Sequence, residues 1–324
     1  MKVLVTGAGA LLGQGIIHSL RRSALRPEIV AVDPSPLAVG LYWADRAHLV
    51  PMATAADYDA RIHELLRLER PDAVMVGTDV ELAYFAAQRQ RLESIYRTSV
   101  VVSDSRVVEI ADDKWLTFLF LREHGFAAPD SALPADVAPL LARVGFPLVV
   151  KPRRGARSIG VVLVRNAAEL AQALERPEGL VVQECVGTPA DEYTAGLLVF
   201  DGTCVASITM RRDLRDGNTY RAFPLPDFPH NALLRRIAER LAPHGPVNFQ
   251  FRLVRGEPRI FEINGRFSGT TPLRGLVGFP EVEMVLRRLV LGENVTQPQV
   301  GTDIILRHWS ESLVAQERLL VPST

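Results

Sequence analysis

Cysteine, surplus charge and long apolar runs are all scarce in this sequence. Its two cysteines, Cys185 and Cys204, form no metal-spaced pair and are too few to frame a chain of 324 residues with disulfides. The seven histidines are scattered with no HExxH-type cluster, so the common zinc arrangements are absent. Lys plus Arg and Asp plus Glu both number 37. A protein held to nucleic acid through phosphate contacts carries a basic excess, so nucleic acid is not an expected partner. No apolar run approaches the length of a membrane span. The opening Met-Lys-Val-Leu-Val-Thr-Gly stretch is too short for the apolar core of a leader, and Gly7 interrupts it. Hydrophobic residues at 48% and charged residues at 23% are ordinary for a globular protein. A soluble, cytoplasmic protein of two or three domains is the expectation.

Short apolar strands alternate with helical stretches through the first hundred residues. Lys2 to Thr6, Glu28 to Asp33, Asp72 to Val76 and Ser99 to Val102 read as strands. Helices are expected after the loop GAGALLGQG, over Asp57 to Arg70, and over Val80 to Tyr96. This alternation predicts a parallel sheet with helices on both faces. Beyond a boundary near Ser103–Arg106 the pattern changes to α+β, giving expected domains 1–104 and 105–324. Helices are predicted at Asp113–His124, Asp136–Arg143 and Asn231–Leu241. Successive antiparallel strands are predicted from Leu180 to Phe223, with turns at Asp201-Gly202 and Asp216-Gly217. Strands Val247–Val254 and Arg259–Ile263 flank a further turn at Arg255-Gly256.

The segment TGAGALLGQG follows a strand and opens a helix, and Asp33 ends the next strand. A nicotinamide-binding fold uses this arrangement for the pyrophosphate and ribose. Short-chain reductases that begin this way carry a catalytic Tyr-x-x-x-Lys. Four positions after Tyr42, Tyr58, Tyr84, Tyr96, Tyr193 and Tyr220 stand Arg46, Ile62, Gln88, Val100, Leu197 and Pro224. None is lysine, so the glycine loop reads first as a packing device and an NAD-dependent reductase is disfavoured.

Five later segments carry more. They are Asp112-Asp113-Lys114; Gly145-Phe-Pro-Leu-Val-Val-Lys151-Pro152; the loop Arg153-Arg-Gly155-Ala-Arg-Ser158-Ile-Gly160; Val182-Gln183-Glu184-Cys185-Val186-Gly187 followed by Glu192; and Asn248-Phe-Gln250 followed by Phe261-Glu262-Ile-Asn264-Gly-Arg266. In this order they resemble the ATP-grasp superfamily. Over residues 1–290 the chain looks like one synthetase unit of the carbamoyl phosphate synthase large subunit, with its pre-ATP-grasp domain first. The resemblance implies an α/β pre-ATP-grasp domain followed by an α+β ATP-grasp fold of two lobes, with ATP between them and a C-terminal extension.

The chemistry of the residues agrees. ATP phosphates require cations, and Lys114 and Lys151 stand at element ends from which a long side chain reaches inward. The loop from Arg153 through Gly155 and Ser158 to Gly160 has the composition of a lid whose amides fold over phosphates. By resemblance, Gln183, Glu184, Cys185 and Val186 border the adenine, with backbone groups of Glu184 and Val186 at its edge, and Glu192 matches the acid that holds the ribose. Glu262 and Asn264 share a strand face and suit Mg²⁺, with Mn²⁺ as an alternative ion. Gln250 occupies the family's other metal position. Arg266 follows on the Glu262 face and, with Lys151, is the candidate for stabilising the transferring phosphoryl group. Asp79 and Glu81, just past a strand's C-terminal end, and Arg211 are candidates for the substrate. Arg211 and Arg212 are candidates to reach the phosphates or a substrate carboxylate and read about equally well as a solvated basic pair, and Lys114 alone would read as an ordinary helix lysine.

The resemblance implies a ligase that activates a small-molecule carboxylate as an acyl phosphate, joins it to an amine, and releases ADP and phosphate. A phosphotransferase on the same fold and a non-catalytic ATP-binding regulatory module are the alternatives. A homo-oligomer is compatible with all three. Where the synthases have Asn-Pro-Arg and a second arginine three residues on, this chain has Gly265 and Gly269, so carbamoyl phosphate formation is not the expected activity. The prediction is that Mg-ATP raises the melting temperature and NADH does not, since a ligand selective for the folded state stabilises it. A thermal shift with NADH and none with Mg-ATP would overturn the assignment.

Overall fold

The computed structural model describes residues 1–155, 159–176 and 179–321. The chain opens with β1 (Lys2–Val5), α1 (Leu11–Arg22), β2 (Glu28–Asp33), β3 (Arg46–Leu49), α2 (Tyr58–Glu69), β4 (Ala73–Met75), α3 (Asp79–Tyr96) and β5 (Ser99–Val101). These strands form a parallel sheet in the order β3-β2-β1-β4-β5. Successive strand residues point to opposite faces. Val3, Val5, Ile29 and Ala31 pack with Ile16, Ile17 and Leu20 of α1, while Leu4, Val30 and Val32 pack with Ile62, Leu65 and Leu66 of α2 and Phe85 of α3. The expected helices on both faces follow directly. The half-exposed edge strand β3 had no apolar run to announce it.

The glycine loop is built for packing. A Cβ on Gly13 would lie 2.1 Å from the Gly7 carbonyl oxygen, because α1 begins against the loop's own backbone. Asp33 accepts hydrogen bonds from the amides of Gly9 at 2.7 Å and Ser35 at 2.9 Å, so its carboxylate is engaged inside the loop.

The second region begins with α4 (Ser105–Asp112), capped by Asp104 through the Val107 amide, and α5 (Lys114–Glu123). A small lobe follows: β6 (Ser131–Ala132), α6 (Val137–Val144), β7 (Leu148–Pro152), β8 (Val162–Val164), α7 (Ala167–Leu174) and β9 (Leu180–Glu184). Its antiparallel sheet runs β6-β9-β7-β8. The larger lobe contains β10 (Glu192–Phe200), β11 (Thr203–Arg215), β12 (Asn218–Pro224), α8 (Asn231–Leu241), β13 (Gly245–Val254), β14 (Glu257–Asn264), α9 (Thr271–Leu276), α10 (Glu281–Leu289) and β15 (Ile305–Leu306). Its antiparallel sheet runs β14-β13-β10-β11-β12-β15. The three predicted turns join these strands as two-residue hairpins. Asp201-Gly202, Asp216-Gly217 and Arg255-Gly256 all have positive φ at both positions, the backbone of a type I′ turn. Among the described residues no helix is long and apolar enough to cross a membrane.

The six-stranded sheet has two different faces. Ala195, Leu197, Val247, Phe249 and Ile263 pack under α5 and α8. On the opposite face Leu198, Ile208 and Met210 join α1 and α10 in a core shared with the N-terminal domain. Farther along that face sits Arg274, fully buried. It donates to both oxygens of Glu281, at 3.0 and 3.1 Å, and to Asn248 Oδ1. Gly196 admits the guanidinium, since a Cβ there would lie 2.2 Å from Nη1. Burial pulls the Arg274 pKa below its ordinary value against the pull of Glu281. Removing one partner of a buried ion pair leaves an uncompensated charge, whereas replacing both with apolar groups is often near neutral. Glu281→Ala is therefore expected to cost about 3–5 kcal/mol in urea unfolding, and Arg274→Met with Glu281→Leu much less. A Glu281→Ala protein as stable as the parent would show that the pair carries no such weight.

Candidate active site

The polar residues of that same sheet face open onto a cleft between the two lobes. Strand alternation puts Glu192 of β10, Arg212 of β11, Gln250 and Arg252 of β13 and Glu262 of β14 on one side. Opposite them, β7 turns Leu148 and Val150 into the small lobe's core, leaving Val149 and Lys151 to line the cleft. Of the other expected nucleotide-site residues, Lys114, Gly155, Gln183, Glu184, Cys185 and Val186 also line this cavity. Ser158 lies outside the described residues.

Lys151 is 6% exposed and donates to Gln183 Oε1 at 2.7 Å. Gln183 Nε2 donates in turn to Ser131 Oγ at 2.9 Å, so the amine is held by a side-chain relay reaching β6. Burial pushes its pKa down to about 8, partly opposed by Glu262 and reinforced by Lys114 and Arg252. Lys114 Nζ donates to the Gly155 carbonyl at 2.8 Å, tying the start of α5 to the chain just after β7.

The β13–β14 register sets the metal candidates. Gln250 stands opposite Glu262, and Asn248 opposite Asn264. Asn264 Nδ2 lies 3.2 Å from Glu262 Oε1 on their shared face, and a turn of the amide would present its oxygen instead. A carboxylate with a neutral amide fits a hard cation that keeps water and phosphate oxygens in its shell. With Glu262 and Asn264 on one face, simple alternation would place Phe261 and Ile263 together on the packed face of this strand. The structure corrects the first: a bulge shifts the register between Gln250 and Phe251, so that Ile260 and Ile263 are buried while Phe261 joins Glu262 along the cleft. The Phe261 ring lies 5.7 Å below Lys151 Nζ.

A second and larger cavity, ≈ 590 Å³ against ≈ 210 Å³, adjoins the first. Gly9, Leu11 and Leu12 from the glycine loop and α1, Thr78, Asp79 and Leu82 from α3 and its approach, and Asp112, Asn264 and Arg266 line it. Lys114, Gly155 and Glu262 belong to both cavities. Arg266 forms a two-point ion pair with Asp79, joining the end of β14 to the N-terminal domain. Its Nη1 donates to the Phe267 carbonyl at 2.8 Å.

Four expected residues are not brought to either cavity. Glu81 is buried inside the N-terminal domain, accepting from Thr6 Oγ1 at 2.6 Å and Tyr58 OH at 2.5 Å, and burial raises its pKa. Arg211 points to the opposite face of β11, over the Phe223 ring at 3.7 Å and paired with Asp213 at 2.7 Å. Arg153 is held by Asp113 at 2.5 Å while its neighbour Arg154 lines the cleft. Gly160 contributes its carbonyl to Arg176 at 2.7 Å. Arg252 is a cleft residue that sequence reasoning passed over, and Arg212, which it left open between the phosphates, a substrate carboxylate and solvent, lines the cleft as well. Arg212 shares strand parity with Ile208 and Met210, which would have separated it from Arg211. The two arginines each take an oxygen of Glu192 at 2.8 Å. Arg252 also donates to the Val186 carbonyl at 3.1 Å.

Comparisons with known proteins agree with this architecture. Residues 3–100 match the model of the PylC-like N-terminal domain. Residues 111–223 match the RimK-like ATP-grasp domain, and 176–311 match a family described as ATP-grasp in the biosynthetic pathway with Ter operon. The chain belongs to the ATP-grasp superfamily, whose members are typically ATP-dependent carboxylate–amine ligases. Within it, the similarity to carbamoyl phosphate synthase large chains is distant. The chain is 25% identical to that of Thermomicrobium roseum over 91% of its own length and 30% of the synthase's. Among solved structures, the N5-carboxyaminoimidazole synthetase of Staphylococcus aureus complexed with ADP superposes with a TM-score of 0.74 at 15% identity, over 92% of this chain and 79% of that one. The biotin carboxylase domain of the Hydrogenobacter thermophilus 2-oxoglutarate carboxylase, a dimer with magnesium ADP and bicarbonate, also gives 0.74 at 16% identity, over 94% and 73%. Likeness at these identities is likeness of fold.

Proposed function

We propose that the protein is an ATP-dependent carboxylate–amine ligase, with Mg-ATP in the cleft between the lobes and the acceptor substrates in the larger adjoining cavity. The observation that carries this reading is the junction: Lys114, Gly155 and Glu262 line both spaces. A nucleotide whose triphosphate reaches that junction meets a carboxylate arriving from the other side.

In this reading a carboxylate oxygen of the substrate attacks the γ-phosphorus, the bond to the β–γ bridging oxygen breaks, and ADP departs. An amine then attacks the acyl carbon of the acyl phosphate. Inorganic phosphate leaves and the amine proton passes to solvent. No protein nucleophile is required, and the chain's contribution is alignment and charge neutralisation. Lys151 and Lys114 bring positive charge to the phosphates, and Arg266 faces the junction from the acceptor side. Glu262 and Asn264 would hold Mg²⁺, which when bound supplies positive charge on the transferring phosphoryl group. The apolar wall of Val149, Val186 and Phe261 suits a purine base. A screen of carboxylate and amine pairs read by phosphate release tests the reading; a stable phosphoester in place of an amide would turn it into a phosphotransferase.

Two outcomes are expected at the site. Glu262→Gln should collapse ADP formation at ordinary Mg²⁺ while altering nucleotide affinity far less, with Asn264→Ala milder, because the ion acts on the transferring group. Normal turnover in Glu262→Gln would remove the ion from this strand. The second concerns pH. With its pKa at about 8 in the free protein, Lys151 is protonated below that pH and neutral above it, and bound phosphates raise the value. Mg-ATP affinity should therefore be level below pH 8 and fall above it by up to about tenfold per pH unit, with proton uptake detectable by calorimetry in buffers of different ionisation enthalpy. Lys151→Met should bind weakly with this pH dependence gone. An affinity that stays level to pH 9.5 and is unchanged in Lys151→Met would show that Lys151 does not meet the phosphates.

A further inference from the structure

Gln250 and Glu262 face each other across β13 and β14, with Asn264 next on the same side, so all three offer oxygen donors to one region of the cleft. Their surroundings differ. Among the described residues the Glu262 carboxylate accepts a hydrogen bond from Asn264 alone. Gln250 Oε1 instead accepts from Arg212 Nη2 at 2.6 Å. A dication on that oxygen would sit beside the buried Arg212 guanidinium, an arrangement opposed by like charge.

Arg212 has its own demand. It is 6% exposed, and among the described residues its Nε has no hydrogen-bond partner. Nη1 reaches Thr219 Oγ1 only at 3.4 Å, and Nη2 is shared between Glu192 and Gln250. The one carboxylate it touches, Glu192, is shared with Arg252. Two guanidinium charges against one carboxylate leave the cluster with a surplus positive charge on the cavity wall. A buried cation short of hydrogen-bond acceptors and facing a cavity calls for an anionic ligand there.

We propose that Arg212 takes the place of a second metal ion: the cleft holds a single divalent cation, at Glu262 and Asn264, and the Arg212 guanidinium supplies the adjacent positive charge to the nucleotide's phosphates. The proposal rests on the reading of this cleft as an Mg-ATP site. Gln250 then serves to orient Arg212, and Glu192 holds the guanidinium from behind.

Counting ions tests it without turnover. The full chain, in excess over β,γ-imido-ATP, is titrated with Mn²⁺ and the free ion followed by electron paramagnetic resonance, while nucleotide affinity is measured separately by calorimetry. One Mn²⁺ per bound nucleotide is expected; two would overturn the proposal while leaving the ligase reading intact. Absence of any nucleotide binding would instead sink both. Arg212→Met is expected to weaken imido-ATP binding at least tenfold, and an unchanged affinity would refute the role in phosphate binding. Because Arg212 is part of a buried ion pair, Gln250→Glu provides a second variant that keeps it: the new carboxylate should pair with Arg212 and the count remain one. Recruitment of a second Mn²⁺ by Gln250→Glu would show that the arginine does not hold the position against a metal.

Discussion

The antiparallel register of β13 against β14 is the constraint on which the candidate site depends. It sets Gln250 opposite Glu262 and Asn248 opposite Asn264, and a one-residue slip would carry every one of these side chains to the other face of the sheet. The hairpin turn at Arg255-Gly256 starts that register, and the bulge at Phe261 adjusts it. Ile260 and Ile263 then anchor the strand in the core beneath, while Phe261 and Glu262 are delivered together to the cleft.

Behind this pair of strands the same sheet face changes character along its length. An apolar section around Leu198, Ile208 and Met210 is covered by the N-terminal domain. A buried polar section follows, where Arg274 donates to Glu281, Asn248 and Thr194. The remainder, with Glu192, Arg212, Gln250 and Arg252, opens to the cleft. Arginines thus occupy both the closed and the open polar sections. In the closed one Glu281 gives the guanidinium a carboxylate of its own; in the open one Glu192 is shared by two. That difference in charge balance separates a structural ion pair from a surface suited to an anion.

The N-terminal domain is part of the site as well as of the core. Its glycine loop, with the amide of Gly9 tied to Asp33, forms one wall of the larger cavity, and Asp79 pairs with Arg266 at the end of β14. A loop whose spacing resembles a dinucleotide site here supplies tight helix–strand packing and a boundary for the neighbouring cavity.

Much of this was legible from residue order. Short continuous apolar runs marked β1, β2, β4 and β5, and Asp-Gly or Arg-Gly pairs marked the hairpins, because these patterns reflect constraints local to a few residues. Lys151 at the end of an apolar strand, and Glu262 two residues before Asn264 on one strand face, were legible locally, but their assignment to one cleft came from the resemblance of the ordered motifs to the ATP-grasp superfamily. Other features depend on partners far away in sequence. Glu81 looked like Asp79, but Thr6 and Tyr58 draw it into the core. Arg211 and Arg212 are adjacent, and only the strand's orientation against β10 and β12 separates the one facing Phe223 from the one facing the cleft. The bulge at Phe261 exists because two strands pair unequally, which neither strand alone reveals. The sequence by itself determined most of the elements, the hairpin turns and the order of the ATP-grasp motifs. Which charges meet an opposite partner, and which are left facing a cavity, was decided only when the tertiary structure brought distant strands into register, since electrostatic and hydrogen-bond partners are set by distance in space and not by spacing along the chain.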